Sequence, residues 1–371
     1  MSNISDEIRD YKDRPSQVTT VHNPARFEVF LEDDLPEPGQ AVEITVSGET
    51  PVIARVARHL GEHHVEVSTL SPRREVTRGA RAVARREEIG FPAPANSVLD
   101  LRDADYATGS ASISMTPKDL ALMEIHPERP VLTTGLEPVD LLSPLVANGT
   151  NLVIDQGGAI HALLAHIRKQ HPDLTLMVVS DTETPDAQMQ CIAPTGLEGA
   201  VLGLRAAACW ANQWRQNNEG HLLFLANLPA LGLDPMAMFT MDQTGKEVRY
   251  PELITWLGET LAPAREARIT TILTLGIDAS VEGLGEIIDT MGLGDVDAQL
   301  FFDKKRTYDP MRSTSRAELP SDLARKAQET RSYIRSAQKT EDSLDIFEWE
   351  DLYAEEQSIV LDLDSWYITL E

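Results

Sequence analysis

The spacing of apolar and polar positions changes character along this chain of 371 residues. Between residues 26 and 92 short β-rich runs follow one another: Phe27–Leu31, Ala41–Val46, Val52–Ala57 and His64–Thr69. Pro38-Gly39, Ser47-Gly48 and Arg78-Gly79 punctuate them. Short strands separated by turn residues at this spacing predict a small β-barrel or sandwich over 25–92. Residues 1–24 read as a solvated, flexible arm, and 92–130 as a proline-marked connection.

From residue 151 strands and helices alternate. Apolar runs at Asn151–Ile154, Leu174–Val179, His221–Leu225, Ile269–Leu275 and Ala298–Phe302 predict strands. Helical stretches lie between them, over 158–170, 199–216, 251–267 and 281–291, with Pro251 suited to a first turn. This βαβ series predicts a mainly parallel sheet within a domain over 93–319. Ligands of such sheets bind beyond the C-terminal ends of the strands. Residues 320–371 read as a short helical domain. Ser321 or Asp322 can cap a helix whose stripe is Leu323, Ala327, Thr330, Ile334 and Ala337. A second segment runs from Ile346 to Leu370.

Residues 151–167 read N-L-V-I-D-Q-G-G-A-I-H-A-L-L-A-H-I. A strand runs into Gly157 and Gly158, and a helix follows with Ile160, Leu163, Leu164 and Ile167 at i, i+3, i+4 and i+7. This is the frame of a phosphate-binding loop, G-x-x-x-x-G-K-[ST], without its chemistry. Ile154 and Ala159 stand at the two glycine positions, Ile160 at the lysine and His161 at the Ser/Thr. The lysine neutralises phosphate charge and the hydroxyl binds Mg²⁺; isoleucine and histidine do neither. Asp155 adds a negative charge inside the loop, which should repel an anion.

Charge narrows the partners. Lys and Arg number 33 against 59 Asp and Glu, a net charge of −26. That argues against a nucleic-acid surface, which needs a basic stripe. Two cysteines, Cys191 and Cys209, make no disulfide framework, so a reducing, cytoplasmic setting is expected. No run of 18 apolar residues predicts a membrane span, and the polar N-terminus does not read as a signal peptide.

Five stretches, in order, resemble the beta subunit of F-type ATP synthase. They are A-R-V-A-R-H-L-G-E-H-H-V-E-V (Ala54–Val67) with V-T-R-G (Val76–Gly79); T-T-G-L-E-P-V-D-L-L-S-P-L (Thr133–Leu145); H-L-L-F-L-A-N-L (His221–Leu228); D-P-M-R-S-T-S-R (Asp309–Arg316); and E-D-L-Y-A-E-E (Glu350–Glu356). The resemblance implies a multi-domain chain: an N-terminal β-barrel crown, a central RecA-like α/β domain of the P-loop type, and a truncated C-terminal helical domain. It also implies alpha- and beta-type subunits alternating in a ring around a central-stalk, gamma-like subunit, and a location peripheral to a membrane complex.

Carried over position by position, the family's site chemistry is missing here. Its Mg²⁺-associated aspartate falls at Ala226. Its general-base glutamate and the adjacent arginine fall at Ser180 and Asp181; a one-residue slip would put Asp181 at the base. Its adenine-stacking tyrosine falls at Lys305. Removing one such electrostatic group costs about 3 kcal/mol, roughly 100-fold in rate. Arg316 falls where the family's non-catalytic partner subunit carries an arginine that reaches a neighbour's nucleotide; the bland alternative is an interface ion pair. Glu350, Asp351, Leu352, Glu355 and Glu356 fall on the family's acidic, stalk-contacting lever, and otherwise read as a solvated face.

Other candidates have plain readings. His59, His63 and His64 cluster, but strand alternation would send His63 and His64 to opposite faces, so no shared metal is expected. His161 and His166, five apart, have poor ligand spacing on a helix. Trp210 and Trp214 share a helix face suited to packing. The expectation is a pseudoenzyme with no cofactor and no metal: a non-catalytic, beta-like subunit of a rotary-ATPase-like ring, structural or regulatory. One alternative is an ATPase with a site rebuilt from His161, Asp155 and Asp181. Another is a free-standing scaffold using the same fold.

Overall fold

The structure is a computed structural model. It describes residues 15–32, 35–46, 50–70, 75–102, 104–108, 112–114, 129–194, 197–231, 269–278, 281, 283–290, 292–343 and 365–370. The lever candidates Glu350, Asp351, Leu352, Glu355 and Glu356 and the expected helix 251–267 lie outside them. The chain divides into two compact units, Met1–Asp119 with Gln190–Trp210, and Leu120–Met189 with Ala211–Glu371.

The first unit is built on an antiparallel sheet. Its strands are β1 Gln17–Asn23, β2 Arg26–Phe30, β3 Gln40–Ile44, β4 Val52–His59, β5 His64–Ser68 and β6 Ala82–Pro92. Three short strands follow: β7 Val98–Asp100, β8 Ala107–Thr108 and β9 Ser112–Ser114. The order is β1-β2-β5-β4-β3-β6-β8, with β9 also on β6. Alternation places Phe27 and Val29, Val52, Ala54 and Val56, and Val65 and Val67 on one face, where they form one buried core with Val18, Val42 and Ile44. The sheet curls until β1 meets the chain entering β6. Val18 N donates to Ala80 O (2.9 Å), Ala82 N to Ser16 O (3.0 Å), and Gln17 bridges Arg81. This corrects the expectation of an arm over residues 1–24: residues 17–23 are the strand that closes the sheet, and Val18 is fully buried.

The second unit carries β10 Val131–Leu132, α1 Glu137–Leu142, β11 Leu145–Val146, β12 Thr150–Asp155, α2 Ala159–Gln170 and β13 Thr175–Ser180. Next along the chain, β14 Met189–Ile192 pairs in parallel with β7, and α3 spans Leu197–Asn217. The second unit continues with β15 Leu222–Asn227, β16 Ile269–Leu275, α4 Leu284–Thr290, β17 Ala298–Phe302, β18 Thr314–Ser315 and α5 Ser321–Ser343. Its strands run in the order β18-β17-β12-β16-β15-β13. All the pairings from β17 to β13 are parallel, and β18 joins antiparallel. The central strands are buried on both faces, as in a doubly covered parallel sheet, with Asn151, Thr270, Thr271 and Thr274 among their buried side chains. Ile160, Leu163, Leu164 and Ile167 of α2 share a core with Val153, Leu225, Ile272 and Phe302.

Helix α5 packs Ala327, Ile334 and Ala337 against Leu141 and Leu142 of α1. The expected stripe is incomplete at its start, where Leu323 is 40% exposed. Residues 365–370, expected within a helical segment, form a turn and a β-bridge instead. No helix among the described residues is long and apolar enough to cross a membrane.

Candidate functional site: a loop filled by its own carboxylate

Parallel pairing brings the C-terminal ends of β12, β13, β15, β16 and β17 to one edge of the second unit. The β12–α2 loop emerges there. Its framing residues are where the sequence placed them: Ile154 ends the apolar run of β12 and is fully buried, Gly157 and Gly158 turn the chain, and Ala159 opens α2. Gly158 is the N-cap with φ +82°, a left-handed conformation that costs a side chain bearing Cβ about 1 kcal/mol. Gly157 is needed for space, since a Cβ there would lie 2.8 Å from Lys304 O.

Asp155, the last residue of β12, turns into this loop and is only 8% exposed. Its Oδ1 accepts the N–H of Gly157 at 2.8 Å and its Oδ2 accepts the N–H of Ile160 at 2.8 Å. A phosphate loop offers its anion such amides, at the positive end of a helix. Here the chain's own carboxylate takes two of them. The expectation that Asp155 simply repels an anion is therefore too weak a statement: its carboxylate is already the anion in the cradle. Bonds of this charge-assisted kind contribute about 1.5–3 kcal/mol each.

Ile160 and His161, expected at the lysine and hydroxyl positions, lie in different surroundings. Ile160 is 4% exposed and packs inward with Leu163 and Leu164. His161 is exposed on the first turn of α2. Ala226, second from the end of β15, is fully buried between the backbones of Val179 and Leu273. The neighbouring Asn227 accepts the Thr274 hydroxyl at 3.2 Å. Ser180 is buried at the end of β13 and donates to Thr182 O at 2.5 Å, closing its own turn. Asp181, half-buried, follows it.

A second loop leans on the first. Arg306, at φ +65°, donates from Nε to Gly157 O at 2.8 Å. Asp303 Oδ1 accepts the N–H groups of Lys305 and Thr307, both at 2.8 Å, which sets this turn. Lys304 pairs with Asp278 at 2.7 Å, and the Lys305 side chain is exposed. Sequence reasoning missed Asp303, Lys304 and Arg306. The available signal was Asp303 itself, because an aspartate side chain bonds main-chain N–H groups two residues on and so sets a local turn.

Arg316 stands at the opposite end of the sheet. Its N–H donates to Asp297 O at 2.8 Å, one residue before β17 begins. Asp155 is in register with Phe302, where β17 ends. The length of the strand, roughly 17 Å at ~3.3 Å per residue, separates Arg316 from the loop. Its guanidinium pairs with Asp295 at 3.1 Å, and both side chains are open to solvent, at 45% and 99% exposure.

The other candidates occupy ordinary places. His59 bonds Pro36 O at 2.8 Å, and His63 bonds Leu31 O at 3.1 Å. The rings of His63 and His64 both pack on Phe30, with centroids at 5.7 and 5.4 Å. The expected opposition of these two fails because β5 begins at His64, so strand alternation does not reach back to His63. His166 is half-buried, Trp210 buried and Trp214 half-buried. Among the described residues no three His, Cys, Asp or Glu side chains are grouped to hold a metal.

No protein-family model matches the chain. Over 133 residues, 32% of the chain, it is 31% identical to ATP synthase subunit beta 1 of Paraburkholderia xenovorans, a stretch covering 26% of that protein. Over 155 residues, 38% of the chain, it is 28% identical to ATP synthase subunit beta 2 of Cereibacter sphaeroides, covering 32% of that protein. The match thus spans between a quarter and a third of the length of these relatives. Distant and partial as they are, these similarities support an ATPase-beta-like fold.

Proposed function

We propose that this chain is a non-catalytic, beta-like subunit of a rotary-ATPase-like ring, with a structural or regulatory role. The observation that carries the reading is the Asp155 carboxylate on the amides of Gly157 and Ile160. A nucleotide phosphate would have to displace a covalently tethered anion from those donors. It would find an inward-packed isoleucine in place of the neutralising lysine, and Ala226 in place of a Mg²⁺-associated carboxylate. Phosphoryl transfer rests on positioning and electrostatic stabilisation. None of the replacements at these positions supplies either.

The closed, curled sheet of the first unit fits a crown, and the parallel sheet of the second fits a RecA-like core. The distance from Arg316 to the chain's own loop favours a role at a neighbour's site over one at its own. On this reading the partners are alpha- or beta-type subunits and a central-stalk, gamma-like subunit, in an assembly peripheral to a membrane.

Isothermal titration of the full chain with Mg-ATP tests the pseudoenzyme half. No Mg²⁺-dependent binding is expected up to millimolar nucleotide; micromolar, Mg²⁺-dependent binding would overturn it. Affinity purification tests the ring half. Recovery of alpha-type and stalk-type ATPase subunits is expected, and their absence from a stable complex would leave a scaffold with other partners.

A further inference from the structure

The segment Ser365–Leu370 has no role in the reading above, yet it is tied to the loop at two removes. Tyr308 N donates to Ile368 O at 2.8 Å, and Leu370 N donates to Arg306 O at 3.1 Å. Thr307 and Thr369 form an antiparallel bridge, their hydroxyls 3.0 Å apart. Leu370 is 4% exposed and enters the same core as Ile160, Leu164 and Tyr308. At its other end the segment is held to α5, where Trp366 and Tyr367 pack on the α1–α5 core and Gln338 meets the Tyr367 hydroxyl at 2.5 Å.

The turn that the segment grips is the one that grips the loop. Arg306 gives its carbonyl to Leu370 and its Nε to Gly157 O. Its left-handed backbone is unusual for a residue bearing Cβ, and such strain persists only where surrounding contacts over-determine it. Those contacts are the Asp303 turn on one side and the bridged segment 368–370 on the other. Lys304 O meanwhile sits where only a glycine at 157 leaves room.

From this we infer that Ser365–Leu370 is a strap: it fastens the 303–308 turn over the β12–α2 loop and couples that loop to α5. While the strap is docked, Arg306 holds Gly157 and the Asp155 carboxylate stays on its two amides. When the strap lifts, the 303–308 turn loses its outer partner and the loop is released to open. A movement of α5 that draws on Trp366 and Tyr367 would therefore be felt at Gly157, without any ligand in the loop.

Hydrogen–deuterium exchange on the full chain tests this, with two variants. Deletion of residues 365–371 is expected to raise exchange in peptides 155–162 and 303–308 about tenfold, while peptides from β2 to β5 keep their rates. Arg306→Ala cuts the link from an exposed position and leaves Leu370 in the core. It is expected to raise exchange in 155–162 alone, with 365–370 unchanged. Wild-type exchange in 155–162 in either variant overturns the strap. So does a rise in the deletion that spreads equally to β15 and β16, which would mean general loosening.

Discussion

Asp155 bonds the main chain of Ile160, five residues further on, through the carboxylate oxygen that Gly157 leaves unused. One side chain thereby ends a strand, shapes a loop and caps a helix whose N-cap residue, Gly158, offers no side chain of its own. Asp155→Ala strands both amides, and the N–H of Ile160 is away from water. The half-buried Gly157 amide can turn to water, so the loss falls mainly on Ile160, and about 1.5–3 kcal/mol in stability is expected. Asp155→Asn keeps one good acceptor and should lose less. Urea denaturation followed by circular dichroism reads the difference; an Ala variant as stable as the parent would mean that water satisfies the amides equally well.

Arg316 and Asp295 form an exposed pair, and such pairs contribute about 0–1 kcal/mol. Arg316→Ala is therefore expected to leave the isolated chain within about 0.5 kcal/mol of the parent. The proposed trans role is read only in an assembly. Where the chain sits beside an intact subunit, the variant should lower that subunit's nucleotide hydrolysis while its own fold is unaffected. Unchanged partner hydrolysis would leave Arg316 as a surface ion pair.

Much of the second unit was legible from periodicity. Ile269–Leu275 and Ala298–Phe302 are strands over the ranges their apolar runs predict, and the α2 stripe packs as its spacing demands. The run Gln17–Asn23 was not legible, because Gln, Thr, His and Asn hide its alternation; it is a strand by pairing antiparallel with β2 on one side and, at its start, by long-range bonds with residues 79–82 on the other. Helix α1 was hidden by its six-residue length. At the site, the residue types Ile160, His161 and Ala226, expected at the lysine, hydroxyl and acid positions, were visible as letters. The direction of the Asp155 carboxylate was not. Charge alone suggested repulsion, whereas the pleat at the end of β12 turns that charge onto the loop's own donors. An aspartate two residues before a glycine is a known former of such local bonds.

Cys191 and Cys209 are both buried in the first unit. Burial pushes the Cys209 thiol up to about 12, with Arg205 partly opposing, and pushes the Cys191 thiol strongly up, with Asp100 adding to it. A folded thiol with a raised pKa keeps its proton where the unfolded chain has lost it. Stability is then full below about pH 8.5 and falls as pH rises toward the folded value, by about 1.4 kcal/mol per pH unit for each thiol. Both cysteines should resist a thiol-specific chromophoric disulfide at pH 8 and react fully in denaturant. Cys209→Ala should flatten the decline in stability between pH 9 and 11. Fast reaction of either thiol in the native chain would mean that the first unit opens more readily than its core implies.

Arg331 and Lys326 both tie α5 to the region of α1, and they should differ sharply in worth. Lys326 meets Glu137 at 3.2 Å, with side chains 55% and 72% exposed. Arg331 is half-buried, and its terminal nitrogen reaches Leu142 O, Ser143 Oγ at 3.1 Å and Ser313 O at 3.4 Å. Ser143 and Ser313 have no exposed surface, and Tyr308, whose hydroxyl burial pushes up to about 12, lies among them. Arg331→Met keeps much of the packing volume and leaves these acceptors without their donor, at an expected cost of about 2–3 kcal/mol. Lys326→Ala should cost less than about 0.5 kcal/mol. Thermal unfolding of both variants separates the two. Equal, small effects would mean that α5 is held by Ala327, Ile334 and Ala337 alone, and that the buried serines find other donors when the guanidinium is gone.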